Sequence, residues 1–215
     1  MSETLQSCGN LIIVSGPSGA GKSALVGSVL KLVSGVRFSV SYTTREPRVT
    51  ETDGVEYFFV NRPEFESLIR SNSFLEWAEV HGNLYGTSKA FVDDLMMQGY
   101  DVLLDIDIQG AGIIRKTRPD AIGIFILPPS FDVLKSRLVH RSLDAETVVE
   151  QRLRRACKEI SHYQEYDYLI VNEDLGSAIR ELESIIVGAR CRTAAKVESV
   201  KSILATFGGM DAEDS

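Results

Sequence analysis

A chain of 215 residues with 44% hydrophobic and 25% charged side chains holds enough apolar material for one substantial buried core of ordinary globular composition. Its formal net charge of −7 speaks against a nucleic-acid partner held by a broadly basic face, yet leaves room for a local arginine cluster that takes a small anion. The three cysteines, Cys8, Cys157 and Cys191, make no C-x-x-C pair and no ligand spacing, so neither a disulfide framework nor a zinc site is suggested. Cys157 falls in a helical pattern and is expected to be a small packing residue. No apolar run reaches membrane-spanning length, and residues 1–6 carry no basic region ahead of an apolar stretch. The expectation is a cytoplasmic protein with no membrane partner.

In chain order, the first predicted element is a buried strand, the apolar and β-branched Leu11-Ile12-Ile13-Val14. Gly16-Pro17-Ser18-Gly19-Ala20-Gly21-Lys22-Ser23 follows and fits G-x-x-x-x-G-K-[ST] at every fixed position. Behind it Leu25, Val29 and Leu32, spaced four and then three, make one face of a helix. Phosphate binding needs this strand–turn–helix order. Glycines let successive N–H groups turn inward on phosphate oxygens, and the helix end adds partial positive charge. In such a loop, residues 16–24 (ending on Ala24) cradle a triphosphate, Lys22 reaches its β- and γ-phosphates, and the Ser23 hydroxyl ligates Mg²⁺. The chain is therefore expected to bind a nucleoside triphosphate.

Residues 37–60 break the alternation of strands and helices. Phe38-Ser39-Val40-Ser41-Tyr42 and, in part, Val55-Glu56-Tyr57-Phe58-Phe59-Val60 alternate apolar with polar, and Pro47, Asp53 and Gly54 lie between them. They read as an antiparallel pair with one solvated face, in a small subdomain inserted into the core. Thr43-Thr44-Arg45-Glu46-Pro47-Arg48 puts two arginines three residues apart just after the first of these strands. The fork of Arg suits phosphate and does not titrate away, although R-x-x-R alone is usually a solvated surface. Tyr57 and Tyr85 could add phenolic donors.

Residues 102–106, 122–127 and 168–171 read as further buried strands, separated by helical patterns. That is the signature of a parallel sheet with helices on both faces. Asp105 and Asp107 end the first of them, where ligands of open α/β sheets gather and where a phosphate-loop protein keeps a partner for Mg²⁺ and its water shell. Val149, Leu153, Ala156 and Ile160 mark one helix face, and Leu175, Ile179, Leu182 and Ile186 another. Val197, Val200 and Leu204 mark a last one, free to pack on the core or on a second subunit, so the chain is a monomer or a homodimer. Residues 208–215 are expected to fray. Arg118, Arg154 and Arg155 read as solvated charges, and His81, His140 and His162 do not cluster.

Taken together, several motifs resemble guanylate kinases, in order and over roughly residues 8–187. They are residues 39–45 with Pro47 and Arg48, Phe74-Leu75-Glu76-Trp77-Ala78, Gly82-Asn83-Leu84-Tyr85-Gly86-Thr87, Leu104-Asp105-Ile106-Asp107-x-Gln109-Gly110, Pro128-Pro129-Ser130 and Asp167-Tyr168-Leu169-Ile170-Val171-Asn172. The resemblance implies an α/β fold of the P-loop NTPase type, a five-stranded parallel sheet flanked by helices. It implies a core over 8–38, 92–133 and 159–207, an inserted β-rich GMP-binding subdomain near 39–91 and a helical lid near 134–158. The implied reaction is ATP + GMP → ADP + GDP with Mg²⁺, in purine nucleotide metabolism and extending to dGMP.

Carried over by residue, the resemblance gives the GMP phosphate to Arg45, Arg48, Tyr57 and Tyr85, and the guanine to Ser41, Glu76, Thr87 and Asp107. Guanine presents N1–H and an N2 amine as donors, which acceptor-only carboxylates suit, while hydroxyls suit its O6. Lys22, Arg45, Arg137, Arg141 and Arg152 are the expected cations of phosphoryl transfer, Ser23 and Asp105 the expected Mg²⁺ partners, and Asn172 a neighbour of the ATP adenine. Two departures stand out. Val49-Thr50-Glu51 occupies the place of the family's usual x-Gly-Glu, and His140-Arg141-Ser142 that of Gly-Arg-Gly, so backbone freedom is expected to be lost at both. Two other readings remain open: a non-catalytic interaction module with this fold, and a kinase for another monophosphate.

Overall fold

The structure, a computed structural model, describes residues 8–80, 82–141 and 146–207, and the side chains of 140, 141 and 146–148 fall outside that description. In chain order the elements are β1 (Leu11–Ser15), α1 (Lys22–Leu32), β2 (Val36–Phe38), β3 (Ser41–Thr43), β4 (Tyr57–Phe59), α2 (Arg62–Arg70), β5 (Phe74–Val80), β6 (Asn83–Ser88), α3 (Lys89–Met97), β7 (Asp101–Asp105), α4 (Ile108–Thr117), β8 (Ile122–Leu127), α5 (Phe131–Arg141), α6 (Glu146–Ile160), a 3₁₀ turn (Tyr163–Glu165), β9 (Tyr168–Val171), α7 (Leu175–Ala189) and α8 (Thr193–Thr206).

Five strands form one all-parallel sheet in the order β2-β7-β1-β8-β9. A parallel sheet is covered on both faces, and β1 is buried at every position for that reason. Successive side chains leave opposite faces of the sheet. Ile12 and Val14 therefore pack with Leu25, Val26 and Val29 of α1 and with Leu182 and Ile186 of α7. Leu11 and Ile13 pack with Val92 and Met96 of α3 and with Ile114 of α4.

The second sheet has the order β4-β3-β6-β5, and a separate cluster of Phe65, Phe74 and Leu84 ties it to α2. The alternating stretch near residue 38 splits in two. β2 joins the large sheet, and β3 starts the small one after Ser39 and Val40. The expected antiparallel pairing of the 38–42 and 55–60 segments is not found. β3 and β4 run parallel, Ser41 opposite Tyr57, and the antiparallel partner of β3 is β6. The reason is the path between them. Residues 44–56 form a wide loop that brings the chain back to enter β4 in the direction of β3, so no hairpin forms. Val55 lies outside the strand and is exposed.

Other packing expectations also change. Leu32 ends α1 exposed, and in β9, the edge strand of its sheet, only Ile170 is buried. Cys157 is exposed and does not pack in the core. Arg118 is half-buried, its Nη1 donating to Asp93 Oδ1 at 2.9 Å, so it is not a freely solvated charge. No residue of α8 is buried, and Val197, Val200 and Leu204 are exposed. Among the described residues no helix is long and apolar enough to cross a membrane.

Candidate active site

The phosphate loop bridges β1 and α1, and three of its glycines carry positive φ: Gly16 (137°), Gly19 (89°) and Gly21 (94°). A Cβ at Gly21 would lie 2.2 Å from the Asn172 amide nitrogen, so both backbone and space demand glycine there. Lys22 starts the helix. Its Nζ donates to the Gly16 carbonyl (2.8 Å) and stands 4.0 Å from Asp105 Oδ1 at the end of β7. Burial pushes the Asp105 carboxyl up, against the Lys22 charge and the Ser23 hydroxyl.

Asn172 follows β9, is 3% exposed and donates through Nδ2 to the Ala20 carbonyl at 2.7 Å. Arg137 on α5 donates from Nη2 to the Asn172 carbonyl (2.9 Å) and from Nη1 to the Ala20 carbonyl (3.5 Å). Both side chains thus meet on the far wall of the loop, and Asn172 holds the loop itself. Arg152 lies half-buried on α6. The side chains of His140 and Arg141 lie outside the description, as do His81, Ser142 and residues 208–215.

A second group gathers on the small sheet. Arg45 follows β3, and its guanidinium carbon lies 5.4 Å from the centre of the Tyr57 ring. The Tyr57 and Tyr85 rings meet edge-on with centroids 5.8 Å apart. Burial raises the Tyr57 hydroxyl's pKa, as do the nearby charges of Tyr85 and Asp105. Tyr57 thus lies within electrostatic reach of Asp105 at the end of β7. Arg48 is the outlying member, its side chain 75% exposed.

Glu76, Thr87 and Asp107 form the third group. β5 buries Phe74, Glu76 and Ala78 on one face and turns Trp77 outward, so Glu76 is 6% exposed because it shares the core-facing side of the strand. Thr87 donates to Glu76 Oε1 at 2.6 Å. Asp107 caps α4 by accepting from Gly110 N at 2.9 Å. Burial, with Asp107 opposite, lifts the Glu76 carboxyl to about 7 against the Thr87 bond. Gly110 was not singled out by sequence reasoning, although a Cβ there would sit 2.6 Å from Glu76 Oε2. Its glycine lets the two carboxylates approach. Ser41, opposite Tyr57 in register, is half-exposed. Thr50, which stands where a glycine was expected, does not need one: among described non-glycine residues only Asn72 has a positive φ.

Known proteins resemble this chain in sequence and in fold. Residues 8–189 match the family model described as guanylate kinase. A guanylate kinase of Shewanella sp. (strain MR-7) is 48% identical over 91% of this chain and 95% of its own length. The chain belongs to the guanylate kinase family. A guanylate kinase of Hahella chejuensis is 50% identical over 86% of this chain and 88% of its own. The crystal structure of guanylate kinase from Anaplasma phagocytophilum superposes with a TM-score of 0.74 at 34% identity, covering 89% of this chain and 91% of that one. The parallel P-loop sheet flanked by helices is thus the guanylate kinase fold, and α8 begins after the residues that the family model matches.

Proposed function

We propose that this chain phosphorylates GMP with ATP, giving GDP and ADP. A phosphate oxygen of GMP attacks the γ-phosphorus, and the bond from that phosphorus to the bridging oxygen breaks with its electron pair going to ADP. The observation that carries the reading is the buried carboxylate Glu76 facing Asp107, within one site with Arg45 and the two tyrosines. Two acceptor-only groups match the N1–H and N2 amine of guanine. Adenine offers neither donor, so Glu76 Oε2 would stay buried without a partner against AMP, Oε1 keeping only its bond from Thr87.

The assignments follow from this. Residues 16–24 and Lys22 hold the ATP phosphates; Arg45, Arg48, Tyr57 and Tyr85 hold the GMP phosphate; Ser41, Glu76, Thr87 and Asp107 read the base. Segment 39–91 acts as the GMP-binding subdomain, and 134–158 as a lid carrying Arg137, Arg141 and Arg152 to the transferred group. The Ser23 hydroxyl and the Asp105 carboxylate fit Mg²⁺, a hard cation that takes oxygen ligands. Bound with the nucleotide, Mg²⁺ would neutralise charge on its phosphates. Lys22, 4.0 Å from Asp105, supplies the fixed positive charge the loop itself brings. Asn172, which holds the Ala20 carbonyl of the loop, lies near the adenine of ATP in this reading.

The test is the ratio of kcat/KM for GMP to that for AMP in wild type and in Glu76→Gln. The amide keeps the shape of the side chain but turns an NH₂ donor toward a donor on guanine. The GMP penalty expected is about 1–3 kcal/mol, and AMP, with an acceptor at N1, is penalised less. The ratio should therefore shrink. An unchanged ratio with both substrates weakened equally would make Glu76 structural and remove the main support for GMP.

A further inference from the structure

Arg45 is held in a way that the phosphate contact alone does not account for. Its guanidinium carries five N–H donors in one plane. Nη1 donates to the Glu46 carbonyl (2.8 Å) and to Glu51 Oε2 (2.9 Å), and Nη2 donates to Glu51 Oε1 (2.9 Å). The carboxylate thus meets the end of the guanidinium fork to fork, one oxygen on each terminal nitrogen. Glu46 and Glu51 use three of the five donors. The other two, the second Nη2–H and Nε–H, lie parallel along the side edge of the plane, and the Tyr85 hydroxyl stands within hydrogen-bonding reach of the guanidinium. These two N–H groups form a second fork of the spacing that two phosphate oxygens take.

Glu51 is fixed in turn. Its Oε2 also accepts from Arg48 N (2.7 Å), and its own N–H donates to the Arg48 carbonyl (3.0 Å), closing the turn over 48–51. Its side chain is 11% exposed, and Arg48 Nη1 stands 3.8 Å from its Oε1. The Tyr57 and Phe59 rings pack near the Arg45 guanidinium carbon, 5.4 and 5.6 Å from their centres, and the Tyr85 hydroxyl lies beside the same group. An arginine side chain loses much rotamer freedom when it must hold one pose. Here Glu46 and Glu51 hold it in one pose.

We propose that Glu51 is a positioning residue for the phosphoryl acceptor: it grips the end of Arg45 and thereby presents the Nε/Nη2 edge to the GMP phosphate. The inference rests on Arg45 as a ligand of that phosphate. It assigns Glu51 a task separate from binding, because an anion bonded to Arg45 at the end leaves the side edge open for a second one.

Steady-state kinetics on the full chain test this. Glu51→Gln removes the charge and sets an NH₂ donor against an Arg45 donor. The expected result is a GMP KM raised about tenfold or more, with kcat at saturation and the ATP KM within about twofold of wild type. Inhibition by guanosine, which has the base and no phosphate, should be unchanged. In an Arg45→Ala background, Glu51→Gln should add less than about twofold, since the residue it acts through is gone. Glu51→Asp, which keeps the charge and withdraws it by one methylene, should fall between wild type and Glu51→Gln, and it serves in its place if Glu51→Gln melts before assay temperature. A lowered GMP KM in Glu51→Gln would overturn the proposal, since Glu51 would then compete for the phosphate seat. Equal weakening of guanosine, or a full effect in the Arg45→Ala background, would overturn it too. If Arg45→Ala itself leaves the GMP KM unchanged, the phosphate assignment of Arg45 fails; if Arg45→Ala raises it and Glu51→Gln does not, only the role of Glu51 fails.

Discussion

Glu76 concentrates the chemistry of the base site in one titration. Burial holds its carboxyl near 7, with Thr87 donating to it and Asp107 facing it. On the proposed base contact the ionised form accepts from guanine, so GMP affinity should fall as pH drops from 8 to 6. The GMP phosphate itself titrates near pH ~6, so the measurement is the difference between the pH profiles of GMP KM in wild type and Glu76→Gln. That difference should rise below about pH 7; parallel profiles would contradict the assignment. The sign for stability is opposite. The folded value lies above the ordinary 4.5, so the unfolded chain ionises first, and the fold is penalised increasingly as pH rises from 4.5 to about 7. Glu76→Gln should therefore raise the Tm of the ligand-free protein at pH 8 while weakening GMP. The phosphate loop was legible at this scale because glycines, lysine and serine sit at fixed spacing in one stretch. The grip of Glu51 on Arg45 was not, because it depends on how the 48–51 turn folds back.

Among the elements, β1, β7 and β8 were legible because burial on both faces leaves a continuous apolar run. The β5–β6 hairpin was not, since its buried face carries Glu76 and Thr87, polar residues that interrupt a clean alternation. The direction of β4 was hidden as well. Strand pattern reports which face is buried, and only the course of the 44–56 loop decides parallel from antiparallel. The start of α4 supplies a prediction. In Gly110→Ala the new methyl would meet Glu76 Oε2 at 2.6 Å, and the far end of that side chain must move. Alanine in a helix is favoured over glycine by roughly 0.5–1 kcal/mol, so stability should hold. A shift of about 1 Å in a positioning group can reduce activity by up to ~10²-fold, so the GMP KM should rise with the ATP KM unchanged. Equal changes in both constants would place the effect in the fold at large.

At the scale of the molecule, four separate apolar clusters divide the described residues. Two flank the large sheet, Phe65, Phe74 and Leu84 bind the small one, and Leu134, Leu138, Val149, Leu153 and Ala156 join α5 to α6. A segment with its own small core can move as a body, and such a closure would carry Arg141 and Arg152 toward the transferred phosphate beside Arg137, which already meets the loop. A bisubstrate analogue should lower the radius of gyration in small-angle scattering and slow hydrogen exchange in α5 and α6; no change at saturation would rule out closure. The two-nucleotide design rests on one claim, that ATP gives its phosphoryl to GMP and to no other base's monophosphate with comparable efficiency. ADP release from ATP, measured with GMP, AMP, CMP and UMP in turn, tests it most directly. The account predicts kcat/KM for GMP above each of the others by at least ~10³-fold, as expected of a site whose buried polar groups go unpaired against the wrong base. Similar rates with all four, or faster release with AMP than with GMP, would contradict it.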